Sequence, residues 1–231
     1  MRSVKAIFIK QLLDIIKNRM VLIQFVIFPV VALVFTELVA KPSEEMADSM
    51  FVTMFACIYA GMTVLATTAG IIAEDRERRS LRFLIMAGVK PYQYLLGIGG
   101  VMLTASLIVT VVFGLMGGFG GADLLKFVAA LMLGAVASVL LGATIGILSK
   151  NQQAAGAMAM PLGMILGFTP MLAMFNDTVK KVFGIFYTMQ VDMLVNDFAA
   201  GFLKPALVIL ANVTVLLVMF VAVYTKKGLR S

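Results

Sequence analysis

The sequence predicts an all-α integral membrane protein of one domain. Six transmembrane helices follow an amphipathic interfacial helix, and a cytoplasmic helical hairpin joins the second and third. Three observations predict this. The 231 residues are 61% hydrophobic and 13% charged, with a mean hydropathy of +1.03. A soluble chain of this length cannot cover so much apolar side chain, so much of it faces lipid. Six apolar windows each reach the roughly 20 residues that a hydrocarbon core requires. The basic residues gather at the chain ends and in one internal cluster, a distribution that does not point to nucleic acid.

Residues 1–19 form the interfacial helix. Phe8, Leu12, Ile15 and Ile16 recur on one face, and Lys10, Asp14 and Lys17 hold the other. Lys5 intrudes on the apolar side but can snorkel. The helix serves as a membrane-surface anchor or as a partner contact, two readings the residues leave open.

The spans are 20–40, 50–73, 95–119, 124–148, 154–175 and 205–224. The first is too long, and lacks the small-residue site, for a cleaved signal peptide. Pro29, Pro161 and Pro170 are expected to kink or break their helices. Glu37 is the one acid inside a span and is placed near the outer end, where water solvates it. GLMGGFGG at 114–121 lacks the Lys and Ser/Thr of a phosphate loop and reads as a packing and turn segment. Segment 176–204 is too long for a turn, and its Asp192 and Asp197 argue against another span. Short outer helices or a re-entrant segment are expected there.

Orientation follows from Lys and Arg. Fourteen of the nineteen lie at the N-terminus, at 76–90, at Lys150 or in the tail through Arg230, so those segments are cytoplasmic. The outer loops hold most of the acids, among them Glu44, Glu45, Asp48 and Asp177.

The internal cluster, 74–94, reads AEDRERRSLRFLIMAGVKPYQY from Ala73. Between Glu74 and Arg82, seven of nine residues are charged. Glu74 with Arg78 and Asp75 with Arg79 are (i, i+4) pairs on a helix expected to continue out of span two. Leu81, Leu84 and Ile85 give the hairpin an apolar face, Gly88 closes it, and Pro91 opens the next helix. A stop-transfer signal needs the basic residues but not a capped, amphipathic hairpin; docking to a cytoplasmic partner fits better.

These residues resemble the segment between the second and third spans of ABC-2-type transporter permeases. The resemblance covers Glu74, Glu77, Arg78, Leu81, Leu84, Pro91 and Gly97, and extends more loosely to the whole chain. Arg79 and Ser80 depart from the Gly-Thr common at those positions, and Gly88 replaces a frequent proline. The resemblance implies the permease subunit of an ATP-driven exporter in a bacterial cell membrane. Glu74, Glu77, Arg78, Arg79, Leu81, Leu84, Gly88, Lys90 and Pro91 would then contact a separate ABC ATPase subunit. It also implies pairing with a second copy or a related permease. No G-x-x-x-x-G-K-[ST] occurs, so this chain is expected to bind no cofactor, ATP and Mg belonging to the partner ATPase.

Two small-residue or Met faces are candidate substrate pathway or dimer surfaces. Thr53, Ala56, Ala60, Thr63, Thr67, Gly70 and Glu74 share one face of span two, and Met160, Met164, Gly167, Met171 and Met174 one face of span five. Both patterns also suit plain helix packing. The series Gly134–Ser138–Gly142–Gly146 and the pair Gly163 and Gly167 are read as packing only. The transported class expected is an amphipathic or hydrophobic compound: a drug, an antimicrobial peptide or a lipid-like molecule.

Other classes are weaker. An ion-coupled carrier or channel needs intramembrane charges or related halves, and neither is found. A membrane enzyme is opposed by the absence of His and of paired carboxylates inside the spans; Cys57 alone gives no disulfide framework. A non-transporting membrane scaffold stays open at this point.

Overall fold

The computed structural model describes residues 2–43, 47, 49–196 and 201–227. Glu44, Glu45, Asp48, Asp197 and Arg230 lie outside the described residues, which are helical and turn-forming with no strand. α1 (Arg2–Lys17) leads into α2 (Arg19–Phe35), which a π turn extends as far as Ala40. Span two is α3 (Met50–Ile58), a π turn (Tyr59–Thr63) and α4 (Val64–Glu77). After the short α5 (Ser80–Met86) come α6 (Pro91–Met116), α7 (Gly121–Leu148) and α8 (Gln152–Phe175), the third to fifth spans. Segment 176–204 resolves into two short helices, α9 (Asp177–Phe183) and α10 (Tyr187–Asn196), and α11 (Leu203–Lys227) is span six. Among the described residues, six helices are therefore long and apolar enough to cross a membrane.

Span four is the hub. α7 packs against α4, α6, α10 and α11, and its glycines set how closely. A Cβ on Gly142 would collide with the Leu65 carbonyl oxygen, and one on Gly146 would lie 2.8 Å from that of Ala69. One turn before Gly142, Ser138 Oγ donates to Ala60 O (2.5 Å) and shares a 2.7 Å hydrogen bond with Tyr187 Oη. Ala60 lies in the π turn, where the helical ladder is interrupted and a side-chain donor satisfies its carbonyl. Gly61 meets Gly167 of span five, where an added Cβ would lie 3.0 Å from the Gly167 Cα. The glycine series thus work as packing surfaces, as their spacing indicates.

Several expectations are corrected. Of the kink or break expected at Pro29, Pro161 and Pro170, no break occurs; α2 and α8 run through them, as membrane helices do when neighbours re-satisfy the freed carbonyls. The face of α1 that packs on the rest of the chain centres on Ile7, Gln11 and Ile15, with Phe8 and Leu12 half-buried, and Ile9, Leu13 and Ile16 are exposed. The reason is α6: Gly97 and Gly100 make a recess that receives Ile7 and Phe8, and this turns α1 by part of a turn. Glu37 stands in the π turn that ends span one, half exposed and paired with Lys41 at 2.6 Å. The 114–121 segment makes the turn between α6 and α7, with Gly118 at φ 74° and Gly121 at φ 54°.

Candidate functional site

The charged cluster does not continue span two as one helix. α4 ends at Glu77, Arg79 takes φ 61°, and α5 starts afresh at Ser80. The expected Asp75–Arg79 pair is therefore absent, because the (i, i+4) spacing holds only within an unbroken helix. The Glu74–Arg78 pair does form, at 2.7 Å. At the far end the hairpin closes as the residue types indicate. Gly88 takes φ 79°, Val89 N–H donates back to Leu84 O at 3.0 Å, and Lys90 N–H donates to Gln93 Oε1 at 3.0 Å beside Pro91. This is a glycine C-cap followed by a proline-led N-terminus.

The break sorts the charges into two groups. Asp75, Arg76 and Glu77 tie the hairpin to the rest of the molecule, Asp75 from a buried position and Glu77 from an exposed one. Asp75 is 6% exposed. It accepts from Lys10 Nζ of α1 (2.7 Å), Ser80 Oγ (3.0 Å) and Tyr94 Oη of span three (3.1 Å). A buried carboxylate is tolerable only when so fully partnered. The Arg76 guanidinium donates to Ile147 O and Ser149 O at the end of span four. Glu77 Oε2 accepts from Gln152 N–H at 3.1 Å, against the first turn of span five, where the helix dipole favours a carboxylate.

The second group faces away from the bundle. Arg78, Arg79, Arg82, Gly88 and Lys90 are exposed, and with them Phe83 (66%) and Met86. Leu81 is buried; Leu84, Glu74 and Pro91 are half-buried; the Ile85 side chain lies outside the described residues. The hairpin thus exposes basic side chains together with an aromatic ring and a thioether. Sequence reasoning placed the arginines but missed Phe83 and Met86, whose (i, i+3) spacing opposite Leu81 and Leu84 was the available signal. It also missed Lys10 and Tyr94 as partners of Asp75, which no local pattern reveals.

The two membrane faces differ. In span two, Thr53, Ala56, Ala60, Thr63 and Thr67 are buried within this chain, with Gly70 half-buried. Thr53 Oγ1 donates to Met50 O and Thr67 Oγ1 to Gln24 Oε1 of span one, both at 2.9 Å. In span five, Met160, Met164 and Met174 are exposed and Met171 is half-buried, while Gly167 is buried against span two. The structure therefore does not join these faces into one surface; the Met face is open and the Thr/Ala face is closed.

At the opposite end, a cavity of about 400 Å³ lies between span five, α10 and the start of span six, and Asp192, Lys180 and three methionines line it. Burial raises the Asp192 carboxyl from its ordinary value to about 6, against the lowering influence of the Asn196 hydrogen bond and of Lys180. Among the described residues, no three His, Cys, Asp or Glu side chains converge as metal ligands.

Comparison with known protein families gives a match over residues 4–225 to the family described as ABC-2 family transporter protein. No curated protein matches the chain. With six membrane-length helices, and a family match that runs from α1 almost to the end of α11, the chain belongs to the ABC-2 transporter family and is a multi-pass membrane permease.

Proposed function

We propose that this permease is the membrane subunit of an ATP-driven exporter, pairing with a second permease and with separate ABC ATPase subunits. The observation that carries the reading is the hairpin: fastened to α1 and to spans three, four and five on its inner side, it offers Arg78, Arg82, Phe83 and Met86 on its outer side. A surface that is exposed, basic and aromatic suits a docking partner. Its rigid mounting lets a push on the hairpin move whole spans instead of bending a loop. The positive-inside rule places this end in the cytoplasm, together with both termini. ATP-driven closure of the ATPase pair would then rock the two permeases between inward- and outward-facing states.

Apolar, adaptable Met160, Met164, Met171 and Met174 suit an amphipathic or hydrophobic compound. The Thr/Ala face of span two would join the pathway only on rearrangement. Its π turn, held by the Ser138 hydrogen bond, is the natural point for that change.

The test is co-purification with the cognate ATPase, together with ATP hydrolysis in vesicles. Arg78→Ala, Arg82→Ala and Phe83→Ala are expected to weaken ATPase retention by about 1–3 kcal/mol each, with membrane insertion unchanged. Glu77→Ala is expected to weaken it less directly, through loosening of the start of span five. Undiminished retention and hydrolysis in all three outer-face variants would sink the hairpin's role.

A further inference from the structure

We propose that the cleft between α1, the start of span one and the end of span two binds the phosphate of a membrane phospholipid, held by Lys17 and Arg19. The cleft encloses about 640 Å³, within the range of small-molecule sites. Its floor is apolar, formed by the buried side chains of Ile15, Val21 and Ile71. Its rim is charged, and most of those charges are already committed. Glu74 pairs with Arg78, and Lys10 lies 2.7 Å from Asp75 and 3.7 Å from Asp14. Lys17 and Arg19 have no carboxylate partner among the described residues.

A second feature points to a ligand. Gln11 is 5% exposed, lines the cleft and makes no hydrogen bond among the described residues. With no partner among those residues, the Gln11 amide is left to donate and accept within the cleft. A phosphodiester with its glycerol ester carbonyls offers acceptors for the Gln11 amide N–H groups and for the two cations together.

The surroundings select a lipid as the source of that phosphate. Only 17% of the apolar window of span one is buried, and Met20, 72% exposed, stands at the cleft mouth. Acyl chains can therefore run down span one while the headgroup enters the cleft. The N-terminus of α2, capped by Asn18, adds a favourable field for an anion. The proposal is independent of what the permease transports.

Native mass spectrometry of the purified protein with phosphatidylglycerol tests it. Lys17→Gln and Arg19→Gln are each expected to lower lipid retention about fivefold, the effect of roughly 1 kcal/mol per cation, and Gln11→Leu to lower it as well. All three variants should keep the wild-type unfolding temperature, since Lys17 and Arg19 are exposed and leucine fills the volume of Gln11. The double variant Lys5→Gln/Lys226→Gln changes two exposed cations outside the cleft and is expected to retain lipid like wild type. An equal loss in that variant would assign the binding to diffuse positive charge and overturn the site. Diacylglycerol, which lacks phosphate, is expected not to compete. Competition by soluble glycerol 3-phosphate at the concentration of the lipid would overturn the lipid assignment and leave a soluble phosphate ester as the ligand.

Discussion

Arg79 carries the one positive φ of a non-glycine residue among those described, 61°. A Cβ in this region costs roughly 1–2 kcal/mol, whereas glycine enters it freely. The resemblance to ABC-2 permeases puts glycine at this position, and the turn between α4 and α5 supplies the physical reason. Arg79→Gly is expected to leave the unfolding temperature in detergent unchanged or to stabilise by up to about 1 kcal/mol, the lost strain being partly offset by chain entropy. Arg79→Val, β-branched, is expected to cost about 1–2 kcal/mol. Identical unfolding temperatures for the three proteins would remove the strain argument. The sequence pattern could not foresee this turn, since EDRERRSLR suits a helix throughout, whereas in the structure α4 stops at Glu77 and Ser80 Oγ donates back to Asp75.

Among elements, α7 shows how spacing becomes contact. Its glycines recur on one face; Gly142 and Gly146 meet the backbone of span two, and Gly134 meets the Val191 side chain of α10. Gly142→Ala drives a methyl into the Leu65 carbonyl, so a loss of about 1–3 kcal/mol is expected. Gly156 in α8 is the counter-example, with no atom within 4 Å of an added Cβ. Gly156→Ala is expected to be neutral or to stabilise by up to about 1 kcal/mol, through helix propensity alone. Thermal unfolding in one detergent checks both, and a Gly142→Ala protein as stable as wild type would contradict the close crossing. Helix existence was legible in hydropathy for all six spans. Which side of each helix faces protein was not, as α1 shows: the recess at Gly97 and Gly100 selects Ile7 over Ile16.

For the whole molecule, Asp75 is the junction between α1, the hairpin and span three. Asp75→Ala would strand the buried Tyr94 hydroxyl and release Lys10, at a cost of about 1–3 kcal/mol. Faster trypsin cleavage at the hairpin arginines is the expected readout, with Asp14→Ala cleaved at the wild-type rate. Equal cleavage of wild type and Asp75→Ala would show that the hairpin is held by Arg76 and Glu77 without it. Burial is also uneven at this scale: 72% of the apolar window of span two is buried within the chain, against 17% for spans one and six. Spans one and six are therefore the ones left to face lipid or another subunit.

By itself the sequence determined the six spans, the clustering of positive charge at one end, and a capped hairpin with its glycine and proline stops. Each follows from chain-local physics: hydropathy over about 20 residues, helix capping and φ preference. Only the tertiary structure decided that Asp75 turns inward to Lys10 and Tyr94, that the Thr/Ala face of span two is closed while the Met face of span five is open, and that Lys17, Arg19 and Gln11 share a cleft. Lys10 and Asp75 are 65 residues apart in the chain. A contact at that separation depends on how whole helices dock, which no local pattern encodes.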